Sequence, residues 1–337
     1  MSSTTKILLV VGIISLIIGG ALFSFALIKN DFKSIVGERK TTTHYVTTDF
    51  SKIQIELDTS SIELCLASDS ECKVECDERE KIYHNVEVED DKLIITKVDN
   101  RNIINKIFDF GTNISIKVFL PDKIYNNLNI KASTSNVKIG KDLCFNNMKI
   151  ELSTGDIELL SKINNNLEII VSTGDILIDG ESAYYATIKS STGDLTIKDF
   201  TIQTFLTRET NTGYTSLTNV KCNSMNINAS TGKVTLINAI CTNELKIKTS
   251  TGNVYFEKSD AKSIKIKTST GNVKGDLLTP KSFYVQSSSG SINVPKTSGE
   301  ICEIETSSGN VSLKITDNQW YYHHLTHFLN IFIAFVQ

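Results

Sequence analysis

The chain has 337 residues, with 35 Lys and Arg against 38 Asp and Glu and a formal net charge of −3. A chain this close to neutral is not built as a whole to bind nucleic acid, and no nucleic-acid partner is expected. Only three prolines occur, which excludes a proline-rich linker protein, while the many Ser, Thr, Asn and Ile residues favour short strands joined by turns.

Residues 7–28 are mostly apolar and carry no charge. At about 1.5 Å per residue they form a helix of about 33 Å, so residues 1–30 are predicted to be one transmembrane anchor, followed by a juxtamembrane linker over 31–44. A signal peptide cleaved near Ser24-Phe25-Ala26 is the competing interpretation. Positive charge follows the segment, which by the positive-inside rule argues against export; the residues are Lys29, Lys33, Arg39 and Lys40.

Residues 45–127 alternate apolar and polar residues without a fixed repeat, as in SKIQIELDTSSIELCLAS at 51–68. This alternation predicts strands, and the region is predicted to be an irregular β cap over the open edge of a repeat domain. His44 and His84 are isolated in the sequence, and no metal site is predicted here. Three cysteines lie close together: Cys65, Cys72 and Cys76.

A corner sequence, S-T-G-D/N, recurs every 19 or 20 residues between positions 128 and 315. A fixed period near twenty is typical of a solenoid in which each repeat forms one coil. Ser135 occupies the glycine position of the first repeat, so about ten coils are predicted. The later corner glycines are Gly155, Gly174, Gly193, Gly213, Gly232, Gly252, Gly271, Gly290 and Gly309.

Each repeat alternates apolar and polar residues on both sides of its corner, as Met148, Ile150, Leu152 and Ile157 do around Gly155. Period two indicates strands with one buried face, and helical spacings do not recur. We therefore predict an all-β fold, a single-stranded β-solenoid (β-helix) whose coils stack about 4.8 Å apart. The corner glycine is expected to supply a positive φ in a tight turn.

Some inward positions depart from the aliphatic pattern. Arg208 occupies one of them, and a bulge that turns it outward is expected. Cys222 and Cys241 occupy the same position in consecutive coils, which predicts either small filler of a narrow core or a disulfide, since a Cα separation of about 4.8 Å permits the bond. Two further cysteines take defined register positions, Cys144 and Cys302.

Residues 316–337 form an aromatic tail with the only Trp and three of the five His. His323 and His327 are four residues apart, but no further metal ligand is evident beside them. The tail is predicted to be either an amphipathic cap or a segment foreign to the domain.

Two charged ladders are candidates for binding. Asp156, Asp175 and Asp194 follow consecutive corner glycines and are expected to stack about 4.8 Å apart. Three interpretations are open. The aspartates are solvated turn residues, or they form a Ca²⁺ site in which the ion relieves their like-charge repulsion, or they are the carboxylate cluster of a polysaccharide-cleaving β-helix enzyme. The enzyme would also need a groove and a basic residue beside the ladder, and the sequence indicates neither.

The second ladder is basic. Four lysines on two consecutive coils are expected to project from one face, and we call them the lysine square: Lys246, Lys248, Lys265 and Lys267. They would attract anionic wall polymers or lipid head groups. The competing interpretation is a solvated edge that discourages pairing between rods.

The repeated S-T-G-D/N-V/I corners, the lead-in VFLPDKIYNNLNIKAS at 118–133 and the single apolar segment resemble a bacterial family of β-strand-repeat proteins regarded as candidate adhesins. The resemblance covers about residues 45–315. It implies export to the bacterial cell envelope, and for some relatives an association with envelope-stress systems. It brings no catalytic residues.

No nucleotide-binding loop or nucleophile elbow is recognised in the sequence, so no catalytic residue and no cofactor is predicted. We expect a single-pass cell-membrane protein whose β domain is extracellular and binds without chemistry of its own, as an adhesin-like module. Its partners would be the membrane through residues 7–28 and an anionic cell-wall polymer or an envelope protein. The alternatives are a sensor or scaffold for a membrane signalling system and, less favoured, a polysaccharide-active enzyme.

Overall fold

The computed structural model describes residues 9, 12–21, 24, 38–101, 114–278, 282–294 and 301–313. Residues 9, 12–21 and 24 are helical. A search of the described residues finds no helix that is both long and apolar enough for a membrane span. The other residues of the predicted anchor, and the predicted tail at 316–337, lie outside the described residues.

The strands of the N-terminal part mix parallel and antiparallel pairing. β2 (Lys52–Thr59) pairs in parallel with β8 (Ile124–Thr134) of the solenoid, with Ile53 opposite Leu128, so this part of the predicted cap continues the coil register. β1, β4 and β7 pair antiparallel, as do β5 and β6. The strands are β1 Arg39–Val46, β2 Lys52–Thr59, β3 Ser61–Leu66, β4 Cys72–Arg79, β5 Ile82–Glu89, β6 Lys92–Asp99 and β7 Ser115–Leu120.

From β8 onward every pairing is parallel, and the predicted all-β solenoid is confirmed. Each strand before a corner pairs with its copy in the next coil, and each strand after a corner does the same. Nine described corners carry a glycine, and one at Ser135 precedes them. The strands are β8 Ile124–Thr134, β9 Val137–Ile139, β10 Cys144–Thr154, β11 Ile157–Leu159, β12 Lys162–Thr173, β13 Ile176–Ile178, β14 Ser182–Thr192, β15 Leu195–Lys198, β16 Thr201–Thr212, β17 Thr215–Thr218, β18 Lys221–Thr231, β19 Val234–Ile237, β20 Ile240–Thr249, β21 Val254–Thr268, β22 Val273–Leu277, β23 Ser282–Ser287, β24 Ile292–Val294, β25 Ile301–Thr306 and β26 Val311–Leu313.

The interior is built from stacked copies of the same inward residue. Met148 lies opposite Leu167, and Leu152 opposite Val171. Each such aliphatic side chain contributes about 1.5–3 kcal/mol when it is removed from water. One inward position forms a nearly continuous isoleucine ladder, with every member at most 1 % exposed: Ile150, Ile169, Ile188, Ile227, Ile247 and Ile266.

Arg208 interrupts this ladder, and the expectation that it turns outward is wrong. It lies opposite Ile188 and Ile227 and is 0 % exposed. The extra residue of this coil is accommodated earlier in β16, where the register shifts between Ile202 and Phe205. The bulge therefore precedes Arg208, and the strand recovers its register in time to point the guanidinium into the core.

The corner glycines are required for a reason that the turn alone does not give. A Cβ at Gly174 would lie well inside 3.0 Å of the carbonyl oxygen of Gly155, because the corners stack directly on one another. The predicted positive φ is present in the first five corner glycines, for example +145° at Gly174. It is absent from the last four, so the prediction is wrong there, and only the close stacking requires glycine: Gly252, Gly271, Gly290 and Gly309.

The two kinds of corner use different hydrogen bonds. In the first kind the Gly155 amide donates to the Thr173 carbonyl of the next coil, at 2.9 Å. In the second kind the Gly252 amide donates at 3.0 Å to the hydroxyl of Thr249, three residues earlier. Each of the last four corners has Ser or Thr at that position, and its hydroxyl closes the turn locally.

Candidate functional site

The lysine square is assembled by the parallel pairing of β20 with β21. Lys246 lies opposite Lys265, and Lys248 lies opposite Lys267. All four side chains are exposed because they alternate with buried residues along both strands. Strand geometry spaces them about 6.7 Å apart along a strand and about 4.8 Å between coils. Among the ion pairs of the described residues, the only one in the square joins Lys265 Nζ to Glu244 Oε1, at 2.8 Å.

The same face of earlier coils is neutralised. Lys149 Nζ lies 2.8 Å from Glu151 Oε1 and 3.5 Å from Glu168 Oε2, and the hydrogen bond to Glu151 raises the pKa of Lys149. Lys189 Nζ lies 3.0 Å from Glu209 Oε2. The lysine square differs from these sites because, among the ion pairs of the described residues, only Lys265 of its four lysines is paired with a carboxylate, which leaves a local excess of positive charge.

The aspartate ladder is part of the stacking of the corners. Asp156 Oδ1 accepts the backbone amide of Asp175, and Asp175 Oδ1 accepts that of Asp194, both at 2.8 Å. Asn253 Oδ1 accepts the amide of Asn272 in the same way, at 2.8 Å. One oxygen of each side chain therefore joins its coil to the next, a task that Asn performs equally well.

The expectation that no groove or base lies beside this ladder is wrong. Asp156, Asp175 and Asp194 line a shallow, open groove across the short strands together with Lys138 and Lys198. Lys138 Nζ is bound at 2.8 Å by Glu158 Oε2, and that hydrogen bond raises the pKa of Lys138. Lys138 is therefore held as a cation, which makes it unsuited to accept a proton.

Cys222 and Cys241 lie opposite each other in β18 and β20, as their register predicts. Both thiols are buried, their sulfur atoms are 3.0 Å apart, and the structure has them as free thiols. The hydrogen bond between the two thiols, together with burial, raises the pKa of Cys241. The predicted disulfide remains a prediction. The side chain of Cys302 lies outside the described residues.

A cluster that the sequence does not predict lies in the N-terminal part, and we call it the cap cluster: His44, Cys76, Glu78 and His84. Cys76 and Glu78 are two residues apart on β4, so they share its buried face. His44 lies opposite Val74 on the paired strand β1, diagonal to Cys76. His84 enters from β5, where it is buried.

The ligand atoms of His44, Cys76 and Glu78 all lie within 4.8 Å of one another. Glu78 Oε1 is 3.9 Å from His44 Nε2 and 3.6 Å from His84 Nδ1, and it accepts the His84 backbone amide at 2.8 Å. The His84 side chain is 0 % exposed, and burial lowers its pKa, which favours the neutral imidazole. Neither ring nitrogen of His84, nor Nε2 of His44, has a hydrogen-bond partner among the described residues.

His44 and His84, which are isolated in the sequence, are thus brought together by antiparallel pairing. The signal that could have found the cluster is the segment from 72 to 84. Its alternation puts Cys76 and Glu78 on one face, and the short hairpin after Arg79, in which Arg79 lies opposite Ile82, brings His84 back close to β4. The contribution of His44 depends on the long-range pairing of β1 with β4, for which the sequence has no local signal.

A family model described as Toastrack DUF4097 matches residues 50–211 and residues 204–325. Among curated proteins, none matches the chain.

Solved structures with a similar arrangement include a candidate adhesin from Bacteroides fragilis NCTC 9343, at 17% identity over 76% of this chain and 97% of that chain, with a TM-score of 0.39. A candidate adhesin from Parabacteroides distasonis ATCC 8503 has 11% identity over 86% and 95%, with a TM-score of 0.38. A candidate lipid binding protein from the same organism has 15% identity over 86% and 98%, with a TM-score of 0.34. At these TM-scores the similarities carry no argument about the site.

Proposed function

Since the chain belongs to the Toastrack DUF4097 family, and since four lysines gather on one face of its solenoid, we propose that it is a binding module without chemistry of its own. Its β domain is exported, is anchored in the cell membrane by residues 7–28, and binds an anionic polymer of the cell wall. The observation that carries this proposal is the lysine square, four exposed cations of which only Lys265 is paired with a carboxylate among the described residues.

A polymer with regularly spaced negative charges suits such a surface. Two rows of lysines lie about 4.8 Å apart, so one chain of phosphates or carboxylates can contact both rows. Each contact releases a counterion, and the affinity therefore falls steeply with salt. Single contacts of this kind are weak when exposed, so binding depends on all four lysines acting on one polymer.

The test is the binding of a fluorescent polyphosphate, as a probe, to the full chain in mild detergent at several salt concentrations. We expect the quadruple variant K246Q/K248Q/K265Q/K267Q to lose most of the affinity. By analogy with single-stranded polyanions, where each neutralised phosphate contributes about 0.7, the slope of log K against log salt should fall in magnitude by about 3.

The control variant removes four lysines that are already paired with glutamates: K117Q/K138Q/K149Q/K189Q. It changes the net charge equally, so it separates a local site from a general charge effect. Equal losses in the two variants would remove the lysine square from the proposal. No salt-dependent binding by the unmodified chain would end it.

Export is tested by treating intact cells with a protease and probing for the region after residue 45. The support for an exported domain is the uncharged segment at 7–28, which is long enough to cross a bilayer, and the family resemblance. Cleavage in intact cells is expected. Protection that persists after the wall is removed would instead follow the positive charges after the segment and would favour a scaffold on the inner side of the membrane.

A further inference from the structure

We propose that the cap cluster is a zinc site in which His44, Cys76, Glu78 and His84 are the four ligands. Two imidazoles, a thiol and a carboxylate form a donor set that Zn²⁺ accepts, and four protein ligands are typical of structural zinc. Three buried nitrogens of the two histidines have no partner among the described residues, and a metal ion would satisfy two of them.

The distances fit a small tetrahedral ion. Ligand atoms held about 2.0–2.3 Å from Zn²⁺ in a tetrahedron lie about 3.3–3.8 Å from one another. The two measured separations from Glu78 Oε1 are 3.6 Å to His84 Nδ1 and 3.9 Å to His44 Nε2. The sulfur of Cys76 lies within 4.8 Å of the His44 and Glu78 ligand atoms, so these three side chains need only small movements. His84, whose measured contact is with Glu78, completes the set by closing toward them.

The charges also balance. When Zn²⁺ enters, the S–H bond of Cys76 breaks, the Zn–S bond forms, and the proton leaves to the buffer. The thiolate and the Glu78 carboxylate then neutralise the two positive charges of the ion, and the histidines bind as neutral imidazoles. An electroneutral set is what a site requires when Cys76 and the His84 side chain are 0 % exposed, because an uncompensated buried charge is costly.

Access and role follow from the same geometry. The His44 side chain is 30 % exposed, so it forms the open side through which an ion can enter. The ion would join β1, β4 and β5, which are otherwise held by antiparallel pairing, and would fix the first described strand of the β domain to the sheet. Its role is thus structural.

The test uses the full chain without a histidine tag, in mild detergent, stripped with a chelator and then titrated with Zn²⁺ alone. We expect one Zn²⁺ per chain by elemental analysis and a higher melting temperature in the loaded protein. Co²⁺ in place of Zn²⁺ should give the thiolate-to-metal charge-transfer band and the visible bands of tetrahedral coordination, and both should be absent from Cys76→Ser.

The matched control is Cys72→Ser, because Cys72 lies on the same buried face of β4 about 13 Å along the strand and outside the cap cluster. It should keep the metal, whereas Cys76→Ser and His44→Gln should bind at least about 100-fold more weakly. His44 is partly exposed, so His44→Gln remains informative if Cys76→Ser fails to fold. Zinc uptake that survives both changes, or no uptake by the unmodified chain, would overturn the proposal and leave a buried histidine–glutamate contact.

Discussion

Replacing Arg208 by methionine is expected to stabilise the solenoid, although it removes a hydrogen-bonded side chain. Arg208 is 0 % exposed between two isoleucines of the stacked ladder. Its Nη2 donates to Ser190 Oγ at 2.8 Å, but Nε and Nη1 have no hydrogen-bond partner among the described residues. Methionine is unbranched, flexible and apolar, so it fills most of the same space and removes both the charge and the two unsatisfied donors.

The magnitude follows from the electrostatics of the site. Burial lowers the pKa of Arg208 from 12.5 to about 10, which corresponds to about 3 kcal/mol by which burial disfavours the charged form. Losing the bond to Ser190 costs about 1 kcal/mol, and Ser190 Oγ keeps a contact of 3.2 Å with Thr210 Oγ1. The net expectation is a gain of about 2 kcal/mol, in line with other buried charges replaced by apolar residues.

Urea unfolding followed by far-ultraviolet circular dichroism measures this difference. With a slope of about 3 kcal/mol/M, the midpoint should rise by about 0.7 M. The control is Ile188→Met, which makes a volume-conserving change at the same interior position one coil earlier and should lower stability by less than about 1.5 kcal/mol. A lower midpoint for Arg208→Met would refute the reasoning, because the guanidinium would then be a net stabilising group.

The sign of the pH dependence provides an independent check. The pKa of Arg208 is lower in the folded chain than in the unfolded chain, so the penalty is fully present below about pH 10. It declines as the pH rises through 10 toward 12.5, because the folded protein can then release the proton. The advantage of Arg208→Met should therefore be constant between pH 7 and 9 and should narrow at pH 11.

Gly174→Ala should lower the free energy of unfolding by about 3 kcal/mol or more, because its Cβ would collide with the Gly155 carbonyl oxygen, and thermal denaturation measures this. Asp175→Asn should leave the melting temperature nearly unchanged because it keeps the accepting oxygen, whereas Asp175→Ala should cost about 1 kcal/mol; equal losses would contradict this role. Oxidised glutathione should form a disulfide between Cys222 and Cys241, which is detected as the loss of two thiols and of two hydrogens in the intact mass. The disulfide should raise the free energy of unfolding by about 3 kcal/mol. If both thiols persist, the disulfide is excluded.

The coil register could be predicted because every repeat carries the same two signals. A corner of small residues marks the turn, and period-two alternation marks the buried face, so Ile150, Ile169 and Ile188 could be aligned before the structure was known. The lysine square could be predicted from the same repeat register, since residues at equal distances in sequence from their corner glycines are neighbours in space. Local repetition is a strong predictor when each unit contacts only its neighbours.

The departures from the repeat could not be predicted in this way. The spacing of 20 residues before Gly213 indicates one extra residue, but it does not say where in the coil that residue lies. An outward bulge at Arg208 and an earlier bulge that leaves Arg208 inside are both consistent with the sequence, and the structure has the second. The prediction of a positive φ at the corner glycine is likewise wrong at Gly252, where a hydrogen bond to the Thr249 hydroxyl closes a different turn.

Polar groups enter the interior of this protein differently in its two parts. In the solenoid an inward residue meets copies of itself above and below, so a single Arg208 has isoleucines on both sides and, among the described residues, no carboxylate to pair with. In the cap, β1, β4 and β5 pair antiparallel, and residues from unrelated register positions meet. Side chains from four different register positions can therefore converge in the cap, as in the cap cluster, whereas an array of identical charges such as the lysine square requires the parallel coils.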